Sequence, residues 1–146
     1  IIKEYFKNYK GILNYIDETT NFCKKKGFVK TLFGRKCYIE GINNKNPRFR
    51  NFAIRAAINA AIQGSAADII KKAMINIHKY LEEKKTKSKM ILQVHDELLF
   101  EMYESEINYL SMEIKKIMEN SALPDIKLDI PLIVDIGKGS SWAEAH

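Results

Sequence analysis

Between residues 89 and 102 the chain reads KMILQVHDELLFEM, two runs of long or branched apolar side chains, 90–94 and 98–102, parted by His95, Asp96 and Glu97. Runs this short and apolar have strand character, and a polar insert between them reads as the turn of a β-hairpin with an acidic tip. Neighbouring side chains on extended backbone point to opposite sides. One carboxylate would then reach into a site while the other supports it. A carboxylate at a strand tip is a hard oxygen donor suited to Mg²⁺, which takes one or two protein carboxylates and completes its shell with water and phosphates. The competing reading is that His-Asp is turn chemistry alone, because Asp is common in turns.

At 146 residues with 46% hydrophobic content, the chain has the size and composition of one domain, or a piece of one, around its own core. Lys and Arg number 24 against 18 Asp and Glu, a net charge of +6 that points to a polyanionic partner, although basic proteins that bind no nucleic acid also exist. Cys23 and Cys37 are the only cysteines and lack CxxC or Cys/His ligand spacing, which argues against a disulfide framework or a zinc site and for a reducing, intracellular compartment. No targeting or transmembrane segment is visible. Ile1 already sits inside an amphipathic pattern, so the chain reads as the downstream part of something longer.

Apolar residues at Ile1, Ile2, Tyr5, Phe6, Tyr9, Ile12, Leu13, Ile16 and Phe22 have helical spacing, with Gly11 expected to divide two helices. Gly27 after the lysines at 24–26 fits a helix stop. Residues 28–33 and 36–39 read as a second hairpin around Gly34-Arg35, and 40–47 as loop. The longest helical pattern is 48–83, where Phe52, Ile54, Ile58, Ile62, Ile69, Ile70, Ala73, Met74, Ile77 and Leu81 are expected to form a buried stripe. A break or kink is expected near Gln63-Gly64-Ser65, with Ser65 capping the second half and Asp68 in its first turn.

The other face of that helix carries Arg55, Asn59 and Gln63 at every fourth position, a polar ridge with Ala56, Ala57, Ala60 and Ala61 around it. Such donors can bond N3 of purines and O2 of pyrimidines in a minor groove, acceptors present on every base pair. The ridge would hold DNA without reading it; the alternative is a solvated face. Residues 84–89 (KKTKSK) read as a solvated loop. Ser105 is expected to cap a helix through Asn120, ended by Pro124. A closing strand over 127–136 and a loop over 137–141 lead to Trp142.

Three stretches now carry a resemblance. TLFGRKCYI at 31–39, RFRNFAIRAAINAAIQGSAADIIKKAM at 48–74 and LQVHDELLFE at 92–101, followed by PLIVDIGKGSSW at 131–142, resemble the C-terminal end of family A (DNA polymerase I type) DNA polymerases over essentially the whole chain. The resemblance implies an α+β segment, the C-terminal fingers and palm of a right-hand polymerase with an antiparallel palm sheet and packed helices, about 1–64 on the fingers side and 65–146 in the palm. It implies template-directed DNA synthesis by two-metal nucleotidyl transfer, with two Mg²⁺ ions in the intact enzyme. Primer–template DNA, deoxynucleoside triphosphates and the upstream part of the same polymerase would be its partners, with no membrane.

Carried over by position, Asp96 becomes a ligand of the catalytic metals, Glu97 an auxiliary acid beside it, and His95 a contact near the primer terminus. Arg55, Asn59 and Gln63 line the primer–template minor groove, and Arg35 in the hairpin loop takes a structural or phosphate-contact role. The sequence departs from the family pattern at Lys36-Cys37 and Glu40, where a basic triplet and a proline are usual, and at Ala60-Ala61, where Thr-Pro is common. Asp17, Asp68, Asp125, Asp129 and Asp135 lie in no motif that would supply the other metal-binding Asp, so the chain holds about half an active site and should not extend a primer alone. Its Lys-, Asn- and Ile-rich composition resembles that of plastid (apicoplast) members. Two rivals remain: a non-enzymatic basic DNA-binding module, and a metal-dependent phosphohydrolase, for which His78 and His146 do not supply the ligand spacing.

Overall fold

The lysines at 24–26 and the glycine behind them fix the end of the first helical region. α1 (Ile2–Asn8) is followed by α2 (Lys10–Lys26), and Gly27 takes φ 77°, its N–H donating to the Cys23 carbonyl at 2.8 Å. That is a left-handed C-cap, with three cations at the negative end of the helix dipole. The computed structural model describes residues 2–145; Ile1, His146 and the side chains of Ile2, Lys3 and Tyr5 lie outside the described residues. The division between the helices falls at Tyr9 (φ −117°, ψ 61°) and not at Gly11. Ile12 N–H donates back to the Tyr9 carbonyl at 3.1 Å, so Gly11 sits within the first turn of α2, where ordinary helical angles suffice.

The chain then forms β1 (Phe28–Lys30) and β2 (Lys36–Tyr38), antiparallel with Phe28 opposite Tyr38, Val29 opposite Cys37 and Lys30 opposite Lys36. Strand alternation sends Val29 and Cys37 inward, toward a core of Cys23, Ile42, Ala53 and Ala57. Both thiols are free; burial pushes that of Cys23 up.

α3 (Pro47–Glu83) is one unbroken helix. The expected break at 63–65 is absent because Ser65 does not cap: its hydroxyl donates to the Ala61 carbonyl one turn back, at 2.6 Å, and accepts the Leu32 N–H at 2.9 Å. The expected apolar stripe also changes along the helix. Phe52 and Ile62 are 67% and 57% exposed, whereas Ala53 and Ala57 are buried and Ala60 and Ala61 pack on the same core. Small residues let α3 approach the β1–β2 hairpin and Cys23 closely, which bulkier side chains would prevent. Beyond Ser65 the expected stripe holds at Ala73, Ile77 and Leu81.

The chain divides into two compact units, Ile1–Ser65 and Ala66–His146. In the second, β3 (Lys89–Val94) pairs antiparallel with β4 (Glu97–Glu101). The register shifts between Met90 and Leu92, a bulge that leaves Ile91 unmatched. α4 (Ile107–Glu119) contributes Leu110 and Ile114, and Leu98, Phe100 and Met102 pack against the cluster they make with α3. Glu106, not Ser105, takes the N-cap position of α4, and its carboxylate turns back to Lys87 and Ser88 instead of capping.

Residues 127–136 form no strand. Ile130 and Ile133 are exposed, and the Val134 N–H donates to the Glu119 carboxylate at 3.2 Å, so this segment is held by α4 and not by a ladder. Trp142 opens the short α5 (Trp142–Ala145). The architecture is α+β, with two small antiparallel sheets. No helix among the described residues is long and apolar enough to cross a membrane.

Candidate active site and nucleic-acid interface

Val94 pairs with Glu97, so the turn of the second hairpin consists of His95 and Asp96 alone, and Glu97 opens β4 instead of belonging to a three-residue insert. His95 has φ 52°, in the left-handed region, while Asp96 is not among the positive-φ residues. A positive φ is a conformation that favours glycine. Histidine is among the few other residues enriched there. The Gln93 side-chain amide donates to the His95 carbonyl and props the turn. Asp96 stands on turn backbone, where strand alternation no longer sets its direction. His95, Asp96 and Glu97 are all exposed.

The open end of the same hairpin is closed by a bonded cluster. Ser88 is buried just before β3; its hydroxyl accepts the Tyr103 N–H from beyond β4 at 3.0 Å and donates to the Glu106 carboxylate at 2.6 Å. Glu106 also accepts the Lys87 and Ser88 backbone N–H groups at 3.1 and 3.0 Å. The Ser88 hydroxyl first, and then the backbone donors, hold the Glu106 carboxyl below the usual glutamate range. Neither residue was singled out from sequence. Ser88 and Glu106 lie 18 positions apart and carry no local signal. Gln93 was missed as well, because its partner is a backbone carbonyl in the turn and leaves no residue pattern.

Among the described residues, no three His, Cys, Asp or Glu side chains are grouped so as to hold a metal ion together. The tip nevertheless fits a partial donor set for a hard cation. Mg²⁺ needs one or two protein carboxylates and takes its other oxygens from water and substrate, and Asp96 and Glu97 are adjacent, exposed carboxylates. Two side chains set aside as ligands on sequence grounds are engaged elsewhere. Asp125 accepts an ion pair from Lys72, and His78 pairs with Glu82 at 3.5 Å along its own helix.

In the first unit, Arg55, Asn59 and Gln63 are all exposed along α3. At about 100° per residue they lie on the side away from Ala53, Ala57 and Ala60. Ala57, Ala60 and Ala61 therefore do not flank this ridge as expected; they face the core, and Phe52 and Ile62 border the ridge instead. Arg35 reaches the next turn of the helix. Its Nη2 donates to the Gly64 carbonyl at 3.0 Å and its Nη1 lies 3.6 Å from the Cys37 sulfur. A Cβ at Gly64 would stand 2.9 Å from Thr31 Cγ2 and 3.2 Å from Arg35 Nη2, so the close seating of the loop requires glycine here.

This arrangement has close counterparts. The family model described as DNA polymerase family A matches residues 1–144. The chain is 43% identical over 145 residues to a DNA polymerase I of Pseudomonas aeruginosa, covering 99% of this chain and 15% of that protein. It is 45% identical over 143 residues to a DNA polymerase I of Caldicellulosiruptor bescii, covering 98% and 16%. Among solved structures it resembles the POL domain of Pol1 from M. smegmatis in complex with DNA primer-template and dNTP, with a TM-score of 0.91 and 40% identity over 99% of this chain and 25% of that one. The chain thus spans about one sixth of the length of the curated relatives it matches.

Proposed function

The chain belongs to DNA polymerase family A, and from that premise we propose that it is the C-terminal fingers and palm portion, about 1–64 and 65–146, of a template-directed DNA polymerase. The observation that carries the reading is an exposed aspartate on a two-residue turn whose hairpin is tied at its far end. The proposed partners are primer–template DNA, deoxynucleoside triphosphates and the remainder of the same polymerase.

In this reading Asp96 holds a divalent cation, with Glu97 as the auxiliary acid. When bound, Mg²⁺ would supply activation of a hydroxyl nucleophile and neutralisation of charge on the leaving pyrophosphate. The chain's own part is to present negative charge at a fixed place. The β3–β4 ladder sets the turn, the Gln93 amide props it, and the Ser88–Glu106 cluster keeps the strands in register. In the same reading His95, beside Asp96 on the turn, makes a contact near the primer terminus. Arg55, Asn59 and Gln63 donate to minor-groove acceptors common to all base pairs, so duplex binding is insensitive to sequence.

The test is single-turnover nucleotide incorporation by the intact polymerase, with primer–template affinity measured alongside at one salt concentration. Asp96→Asn keeps the size and removes the charge, so incorporation should fall by several orders of magnitude while duplex affinity, resting on the helix face and phosphate contacts, is retained. Glu97→Gln should lose less. Near-normal incorporation by Asp96→Asn, or a larger loss in Glu97→Gln, would overturn the metal assignment at the tip.

A further inference from the structure

The outward face of the first hairpin is not used by the reading above. Strand alternation places Phe28 and Lys30 of β1, and Lys36 and Tyr38 of β2, on the side opposite the core, with Phe28 directly across from Tyr38 and Lys30 across from Lys36. The rings meet edge to face at 5.6 Å, and Phe22 of α2 also meets Phe28 edge to face at 5.6 Å. Lys36 Nζ lies 5.0 Å from the centroid of the Phe28 ring. Phe28 is thus boxed in by its neighbours, while Tyr38 is 73% exposed. Lys26 stands one helical turn on from Phe22 and Glu18 one turn before it, and exposed Glu40 follows Tyr38 two residues on, so the lysines of the face, Lys30 and Lys36, are bordered by one further lysine and two carboxylates.

An exposed tyrosine braced by one ring that is itself held by a second, with Lys36 over the ring behind it and Lys30 across the ladder from Lys36, has a definite chemical complement. A solvated surface would leave such a ring mobile; here two edge contacts fix the aromatic stack behind it, so a planar group laid on Tyr38 would meet a support already ordered. Lysines beside it match a backbone charge that repeats from one planar group to the next. Duplex nucleic acid hides its ring faces in its own stack and offers only edges and phosphates. Single-stranded nucleic acid offers both the ring face and the phosphate, and binding of this kind rests on base–aromatic stacking along a basic track. We propose that the outer face of the β1–β2 hairpin binds single-stranded nucleic acid, with a base stacked on Tyr38 and the adjoining phosphates held by Lys30 and Lys36.

This goes beyond nucleotide incorporation and is read without primer or nucleotide. The probe is a fluorescently labelled twelve-nucleotide oligothymidine, titrated with the intact protein and followed by anisotropy, with a blunt duplex of the same length as control. Tyr38→Ala should weaken oligothymidine binding by about five-fold or more, Tyr38→Phe should bind within about two-fold of wild type, and the blunt duplex should bind all three alike. A Lys30→Gln/Lys36→Gln pair should weaken binding and flatten its salt dependence, as loss of phosphate contacts requires. With 2-aminopurine in the oligonucleotide, fluorescence quenching on binding should be lost in Tyr38→Ala. Tyr38 is mostly exposed, so its removal leaves the core intact. Unchanged affinity in Tyr38→Ala overturns the proposal and leaves the face to another part of the protein; an equal loss on the blunt duplex overturns it too, because the contact would then not require a single strand.

Discussion

The β1–β2 hairpin closes through a loop whose polar groups are bonded inward. Thr31 N–H meets the Arg35 carbonyl at 3.0 Å, Gly34 N–H the Thr31 carbonyl at 2.9 Å, Leu32 N–H the Ser65 hydroxyl at 2.9 Å, and the Arg35 guanidinium the Gly64 carbonyl at 3.0 Å. The β3–β4 hairpin ends instead in a two-residue turn propped by one side-chain amide, with its bonded cluster at the opposite end and its carboxylate in solvent. A hydrogen bond already made within the fold contributes to stability but occupies the group that makes it. An open carboxylate contributes little to stability and keeps its oxygens for a ligand. The contrast therefore predicts that changes at the first loop register as lost stability and changes at the second tip as lost chemistry.

The largest stability effect should come from Gly64. Valine there gains only about 0.3 kcal/mol in helix propensity, but its Cβ would already stand 2.9 Å from Thr31 Cγ2. Overpacking of this kind costs about 1–3 kcal/mol, and the Arg35 and Leu32 bonds weaken as the loop is lifted off. Gly64→Val should speed hydrogen exchange at the amides of Leu32 and Gly34 in the intact protein. Asp96→Asn should leave global stability within about 0.5 kcal/mol. Comparable destabilisation by the two changes would erase the distinction between the hairpins.

The same contrast explains what could be read from the chain alone. Both hairpins were legible, because a polar or Gly-containing break between short apolar runs is a local signal, and so was the helix end at Gly27. What failed was non-local. Phe52 and Ile62 have the right spacing for a buried stripe, yet the helix face is chosen by what packs on it, and the close seating of Cys23, Val29 and the first loop selects alanine. Ser65 reads as a cap until its partner Leu32 is known. The run at 127–136 has strand composition, but a strand is made by its neighbour, and Glu119 claims the Val134 N–H instead. At the candidate site, the residue types of the tip were visible while their support by Gln93, Ser88 and Glu106 was not.

His95 sharpens the comparison from the other side. Its φ of 52° costs a non-glycine residue roughly 1 kcal/mol. If the tip were shaped for stability, glycine would be the better residue. His95→Gly should therefore stabilise the intact protein by up to about 1 kcal/mol in denaturant unfolding while slowing incorporation. A variant both more stable and fully active would mean that the imidazole has no task at the turn.

The smallest effect should appear at the closed end of the β3–β4 hairpin and only in acid. Glu106 is stabilised as a carboxylate by the Ser88 hydroxyl and by the Lys87 and Ser88 N–H groups, which lowers its folded pKa. A lowered folded pKa means that the unfolded chain binds the proton more readily, so stability from this group is fully present above the ordinary glutamate value of roughly 4.3. It is lost as pH falls through the folded value, when the protonated acid no longer accepts all of its donors. From pH 6 to 8 the Tyr103 amide, held by the Ser88 hydroxyl, should keep constant protection once exchange rates are corrected for pH. Below pH 4 it should lose protection ahead of the Ile77 and Leu110 amides in the neighbouring core. Glu106→Gln retains a single acceptor oxygen and should expose Tyr103 to faster exchange at neutral pH, with the difference from wild type shrinking in acid. Hydrogen exchange at Tyr103 that is identical in the two proteins across this range would show that β3 and β4 are kept in register by their own ladder and not by the glutamate at its end.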